Sequence, residues 1–141
     1  MINEESEIVE IIDRETRGWD TQDTGLLVSL FHPDMVWPWP KTPSSHDPLE
    51  WELVQGKFNR ERWSRRWQEL FDNYKLARNL REIKKIVISE EGDGAFAVVD
   101  IDTLWISNDG LSIHWKGRVC KVYSKTGNGW KMTMHTGVLE Y

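Results

Sequence analysis

The stretch from Ile88 to His135 reads ISEEGDGAFAVVDIDTLWISNDGLSIHWKGRVCKVYSKTGNGWKMTMH. Three turn signals cut it: Glu91-Gly92-Asp93-Gly94, Asn108-Asp109-Gly110 and Thr126-Gly127-Asn128-Gly129. Glycine and its Asn or Asp neighbours supply the backbone freedom that tight hairpins require. Between the turns, apolar and polar residues alternate with the period of a strand. Followed outward to Leu76 and to the last residues, the pattern predicts four antiparallel strands at roughly 78–90, 95–107, 111–124 and 129–140. Each holds about 12 residues, on the order of 40 Å if straight. Strands that long in a chain of 141 residues must twist and curl.

Upstream the period changes to that of helices. Ile8, Ile11 and Ile12 mark a first helix over about Glu4 to Arg17, with Asn3 as its cap, acids in its first turn and Gly18 at its end. Leu26, Leu27, Leu30 and Phe31 mark a second over about Thr21 to Phe31, stopped by His32-Pro33-Asp34. Trp63, Trp67, Leu70, Phe71 and Tyr74 form the stripe of a third, capped by Asn59, whose arginines fall mainly on the solvated face. Between the second and third, Met35, Trp37 and Trp39 share one face of a short strand. Pro38 and Pro40 confine that strand to a sheet edge. Lys41 to Lys57 has no regular period and is long for a connection, as lids and binding loops often are. The expectation is one α+β domain over residues 1–141, with three N-terminal helices packed on a strongly curved antiparallel sheet that forms a cone.

Composition narrows the function. The net charge of −5 argues against a nucleic-acid binder. No apolar run approaches the roughly 20 residues that span a bilayer, and residues Met1 to Glu10 lack a signal peptide's basic and apolar regions. With the single Cys120 sitting mid-strand as a packing residue, a cytoplasmic location follows. His32, His46, His114 and His135 show no metal-ligand spacing, and no phosphate loop, dinucleotide fingerprint or nucleophile elbow is present. No metal and no cofactor are therefore expected. Nine tryptophans are hard to place in one dry core, which points to a cavity or a subunit interface.

The order of three helices, a short strand after the second and four long strands resembles the nuclear transport factor 2-like superfamily, which includes SnoaL-like cyclases and ketosteroid isomerase. Three fragments carry the likeness: Leu30-Phe31-His32-Pro33-Asp34-Met35-Val36-Trp37, Gly117-Arg118-Val119 through Val122-Tyr123, and Gly129-Trp130-Lys131-Met132. The resemblance implies a conical domain with a pocket at its wide end, often a homodimer through the outer sheet face. In ketosteroid isomerases the general base is an aspartate followed by proline late in the first strand. Here Trp39 takes that place before Pro40, and no acid lies near Cys120 to Val122, where the second carboxyl would fall. Isomerisation by that mechanism is not expected.

Other groups are candidates for general acid–base work. His46 with Asp47 in the long loop would serve if it faced the cavity, or the two form a surface turn. Asp100 and Asp102 share one strand face about 7 Å apart, either in the pocket or on the outer face beside Lys116, Arg118 or Lys121. Counting in twos from Trp130 sets His135 outside the cone unless a bulge intervenes. The reading is a pocket for a small aromatic or polycyclic apolar molecule. Trp37, Trp39, Trp51, Trp67, Trp105 and Trp115 form its walls, and Arg118 and His135 are its polar candidates. A cofactor-free isomerase, cyclase or dehydratase is one form of this reading. The alternative is a noncatalytic dimeric structural or interaction module whose cone is filled by aromatics.

Overall fold

The computed structural model describes residues 3–45 and 47–140. Helix α1 (Glu4–Asp20) starts where the Asn3 side chain accepts from the Ser6 N–H at 2.8 Å, with Glu4, Glu5 and Glu7 at its positive end. It runs past Gly18, which does not end it. That glycine is a packing notch, since a Cβ there would lie 2.8 Å from Leu27 of the next helix. Helix α2 is short (Thr24–Ser29) because Asp23 caps it late, accepting from the Leu26 N–H. Strand β1 (Phe31–Val36) follows at once, earlier than the alternation of Met35, Trp37 and Trp39 suggests. Helix α3 (Arg60–Asn73) is capped by Asn59 and buries Trp63, Trp67 and Phe71.

Two short strands, β2 (Pro38–Trp39) and β3 (Glu52–Leu53), pair with each other and tie the long loop back onto the chain. The meander is β4 (Tyr74–Ile88), β5 (Gly94–Ser107), β6 (Ser112–Thr126) and β7 (Gly129–Leu139). Strand order in the main sheet is β1-β7-β6-β5-β4. All pairings are antiparallel except β1 with β7. The segment expected as one edge strand through Met35, Trp37 and Trp39 is split: β1 ends at Val36 as a parallel edge of the main sheet, and Pro38 lies in β2 of the separate two-stranded sheet.

The helices pack on the face carrying Ala97, Val99, Ile101, Thr103 and Trp105 of β5, while Phe96, Asp100, Asp102 and Ile106 face away. Ile8, Ile11 and Ile12 of α1 are almost wholly buried in the core, with Leu27, Met35, Trp63, Val119 and Met132. Besides the irregular pairing of β1 with β7, bulges interrupt the alternation within the meander. Two are in β4, between Leu76 and Arg78 and between Ile83 and Lys85, and one is in β7 at Thr133. Bulges bend and twist the strands that carry them. Gly117 on β6 lets β7 approach so closely that a Cβ there would strike the Val138 carbonyl. Among the described residues, no helix is long and apolar enough to cross a membrane.

Candidate functional site

Between the helices and the concave sheet face, the aromatic side chains leave a cavity of about 250 Å³. Trp37, Trp39, Trp67, Trp105 and Trp115 all line it, together with Trp19 of α1. The rings meet mostly edge to face, as their quadrupoles favour. Trp19 lies 5.1 Å from Trp67 and 6.3 Å from Trp105, and Trp39 lies 5.5 Å from Trp115. One contact differs. His135 stacks flat on Trp37, with ring centroids 3.9 Å apart.

His135 is 2 % exposed and lines the cavity, not the outer face that counting from Trp130 assigns. The bulge explains the difference. Tyr123 pairs with Met132 and Val122 with Met134, so Thr133 is an extra residue and the strand changes parity there. The Nδ1 of His135 has no hydrogen-bond partner among the described residues.

Three charged side chains meet at this cavity: Glu15 and Arg81, which carried no expectation from the sequence, and Lys121, expected as an outer-face partner of Asp100 or Asp102 but buried on the inward face. Glu15 of α1 (2 % exposed) accepts two hydrogen bonds from Lys121 Nζ (1 % exposed), at 2.7 and 3.0 Å, and one from Trp19 Nε1 at 2.9 Å. Arg81 of β4 donates through Nε to Asn79 Oδ1 at 2.7 Å and reaches Thr103 Oγ1 at 3.4 Å. Its nearest approach to Glu15 is 4.0 Å, beyond a hydrogen bond. Glu15 and Arg81 line the cavity, and Lys121 sits behind Glu15. Each had a signal. Glu15 falls on the apolar stripe of α1 with Ile8, Ile11, Ile12 and Trp19, and Lys121 lies between Val119 and Tyr123 on the inward face of β6. A charge in a buried register is expensive unless it is paired. Arg81 was hidden by the two bulges of β4, which break the count on either side of it.

Burial governs the titration of these groups. It disfavours the charged form of Lys121 most, against the pull of Glu15, and holds that amine down to about 8. Burial alone would raise the Glu15 carboxyl, but Lys121 and Arg81 together outweigh it and the net shift is downward. His135 is held well below 6.5 by burial first, then by the charges of Lys121 and Arg81. Glu15 is thus an ionised carboxylate with its lone pairs occupied, and His135 is a neutral imidazole. Neither is tuned as a general base at neutral pH.

The remaining candidates lie elsewhere. Asp100 and Asp102 face outward. Asp100 takes both bonds of the Arg118 guanidinium at 2.7 and 3.0 Å, and Asp102 binds Arg78 at 3.0 Å and His114 at 2.6 Å. Arg118 is therefore an outer-face partner of Asp100 and does not line the aromatic cavity. These positions follow from plain alternation along β5, because Ile101 and Thr103 take the inward sites. Asp47 is exposed and caps a single 3-10 turn, Pro48–Glu50, by accepting from the Leu49 N–H. His46 lies outside the described residues. Trp51 is half-buried but does not line the cavity. The loop still contributes through Val54 and Gln55, held by Arg62, which donates to the Gln55 carbonyl from the half-buried side of α3. Among the described residues, no three His, Cys, Asp or Glu side chains converge as metal ligands.

This arrangement of helices over a curled sheet is shared by solved structures of nuclear transport factor 2-like proteins. A conserved protein from Planctomyces limnophilus DSM 3776 superposes with a TM-score of 0.75 at 15 % identity, covering 96 % of this chain and 95 % of that one. A ketosteroid isomerase-like protein from Erwinia carotovora atroseptica SCRI1043 gives 0.70 at 12 % identity over 95 % and 94 %. A nuclear transport factor 2-like protein from Salmonella enterica serovar Typhimurium gives 0.68 at 19 % identity over 98 % and 92 %. At such identities the likeness is one of fold. No curated protein matches the sequence. The profile of the SnoaL-like domain matches residues 1–136, and the chain belongs to that family.

Proposed function

We propose that the chain is a binding protein for a one- or two-ring aromatic molecule, held in the cavity between the helices and the sheet. The observation that carries this is the unfilled space of about 250 Å³ walled by six tryptophans. The volume lies just below the roughly 300–1,000 Å³ of drug-sized ligand sites. It favours one or two rings over a larger polycycle. Burying flat apolar surface against indole faces would supply most of the affinity. Binding is better supported than turnover, because the two cavity groups able to accept a proton, Glu15 and His135, are both shifted away from a general base's working range. The exposed Leu80, Phe96 and Val138 of the outer sheet face support the homodimer that the resemblance implies. The unpaired Cys120 supports a cytosolic setting.

Tryptophan emission during titration with one- and two-ring aromatic compounds tests the reading. Saturable quenching or a spectral shift is expected with at least one. Trp37→Ala, which removes the ring stacked on His135, should weaken that affinity about tenfold or more, while Trp51→Ala should leave it unchanged. Equal behaviour of the two variants would count against the cavity as the site.

A further inference from the structure

On the side of the cavity formed by α1 and the sheet, hydrogen-bond acceptors are scarce; Gln55 Oε1, an unpartnered acceptor lining the cavity, comes from the long loop. Glu15, the one carboxylate lining it among the described residues, has both oxygens engaged by Lys121, and one also by Trp19. Thr103 Oγ1 already donates to Asn79 Oδ1 and faces Arg81. Donors, by contrast, are in surplus. Arg81 carries five N–H groups in a fixed fork, and its acceptors among the described side chains are Asn79 Oδ1 and, at 3.4 Å, Thr103 Oγ1. His135 holds one N–H in either tautomer of the neutral ring. It is almost wholly buried, and its Nδ1 is unpartnered. A buried imidazole nitrogen without a partner is costly unless something enters to meet it.

Charge points the same way. Two buried cations, Arg81 and Lys121, stand against one buried anion, Glu15. Asp20 acts on Arg81 only from the exposed end of α1, where it is bonded to Asn79. Tyr123, the other ionisable group close to Arg81, is a buried phenol that stays neutral. The cluster therefore keeps an excess of one positive charge in a place from which water is largely excluded. Arg81 is 12 % exposed, so its guanidinium is held by the fold yet lines the cavity.

We propose that the ligand of this pocket is an aromatic carboxylate, its ring between the tryptophans and its carboxylate received at the inner end by Arg81 and His135. The inference rests on the binding function proposed above and adds the ligand's charge. A planar carboxylate suits the guanidinium fork, and charge-assisted bonds of this kind are the stronger ones. The ring would follow the gradient of the cavity, from buried Ile101 and Trp105 outward to half-buried Leu70, Ile113 and Trp115.

Isothermal titration calorimetry with 2-naphthoate and with 2-naphthalenemethanol, matched in ring and differing in charge, separates the possibilities on the unaltered protein. The acid is expected to bind at least about tenfold more tightly than the alcohol, the value of one charge-assisted hydrogen bond. Arg81→Gln should remove that preference, and Arg81→Lys should keep part of it. Binding of the alcohol as tight as or tighter than the acid would overturn the anionic ligand and leave the aromatic pocket standing. Binding of neither would overturn both. A preference for the acid that survives in folded Arg81→Gln would place the anion elsewhere.

Discussion

Lys121 and Glu15 lie within the core, and neither charge is exposed beyond 2 %. Their two bonds of 2.7 and 3.0 Å hold α1 to the middle of β6 across 106 residues of sequence. The worth of such a pair differs from the cost of breaking it. Two desolvated charges roughly offset their attraction, but one left alone is strongly unfavourable. Lys121→Met should therefore lower the unfolding free energy by about 3–5 kcal/mol. The double replacement Glu15→Gln with Lys121→Met should restore at least half of the loss, both read from urea melts. If the single and double variants are equally destabilised, the pair is not the reason for the burial. The sequence reading passed over Glu15 and set Lys121 on the outer face, because a lone Lys or Glu among strand or helix residues is ordinarily on the surface. What identifies them is register: each occupies a position whose neighbours along the same face are apolar.

At the scale of elements, most of the architecture was legible. The three Gly-containing turns, the stripe of Trp63, Trp67, Leu70 and Phe71 and the Asn3 and Asn59 caps all specify local geometry directly, and each stands where the sequence places it. The β-bulges were not legible. An extra residue leaves no mark in the composition of a strand, yet the one at Thr133 moves His135 from the solvent side to the cavity. Its consequence can be measured through pH. The folded protein keeps His135 neutral well below the ordinary value of 6.5, whereas the unfolded chain protonates it there. The unfolded state thus binds more protons in that window, so stability falls as pH drops below about 6.5, by up to about 1.4 kcal/mol per pH unit. Glu15, also shifted down, adds a second loss below its ordinary 4.5. Thermal melts from pH 7 to 5 should show the first slope, and His135→Gln should flatten it. An unchanged slope in the variant would place His135 where simple alternation puts it.

The whole molecule is a cone whose wall aromatics were readable in part, with Trp19 missed and Trp51 wrongly included, while its empty volume was not readable. Sequence identifies Trp37, Trp39, Trp67, Trp105 and Trp115 as large rings on inward registers, but whether such rings touch or leave space depends on the curl of the sheet. That curl comes from the bulges and from the close passage of β7 over Gly117. Plain alternation along β5 sets Asp100 and Asp102 away from the cavity, which Arg81, Glu15 and His135 line. The site is an aromatic box with Arg81 and Glu15 in its wall and Lys121 behind Glu15.

The nine tryptophans offer the most direct test, because each indole N–H is a separate reporter of position. Proton–nitrogen correlation spectra recorded while 2-naphthoate is added should move the indole signals of Trp37, Trp39, Trp67, Trp105 and Trp115 and leave those of Trp51 and Trp130 in place. Shifts confined to Trp51 or Trp130, or no shift at saturating ligand, would contradict a binding site in the cavity.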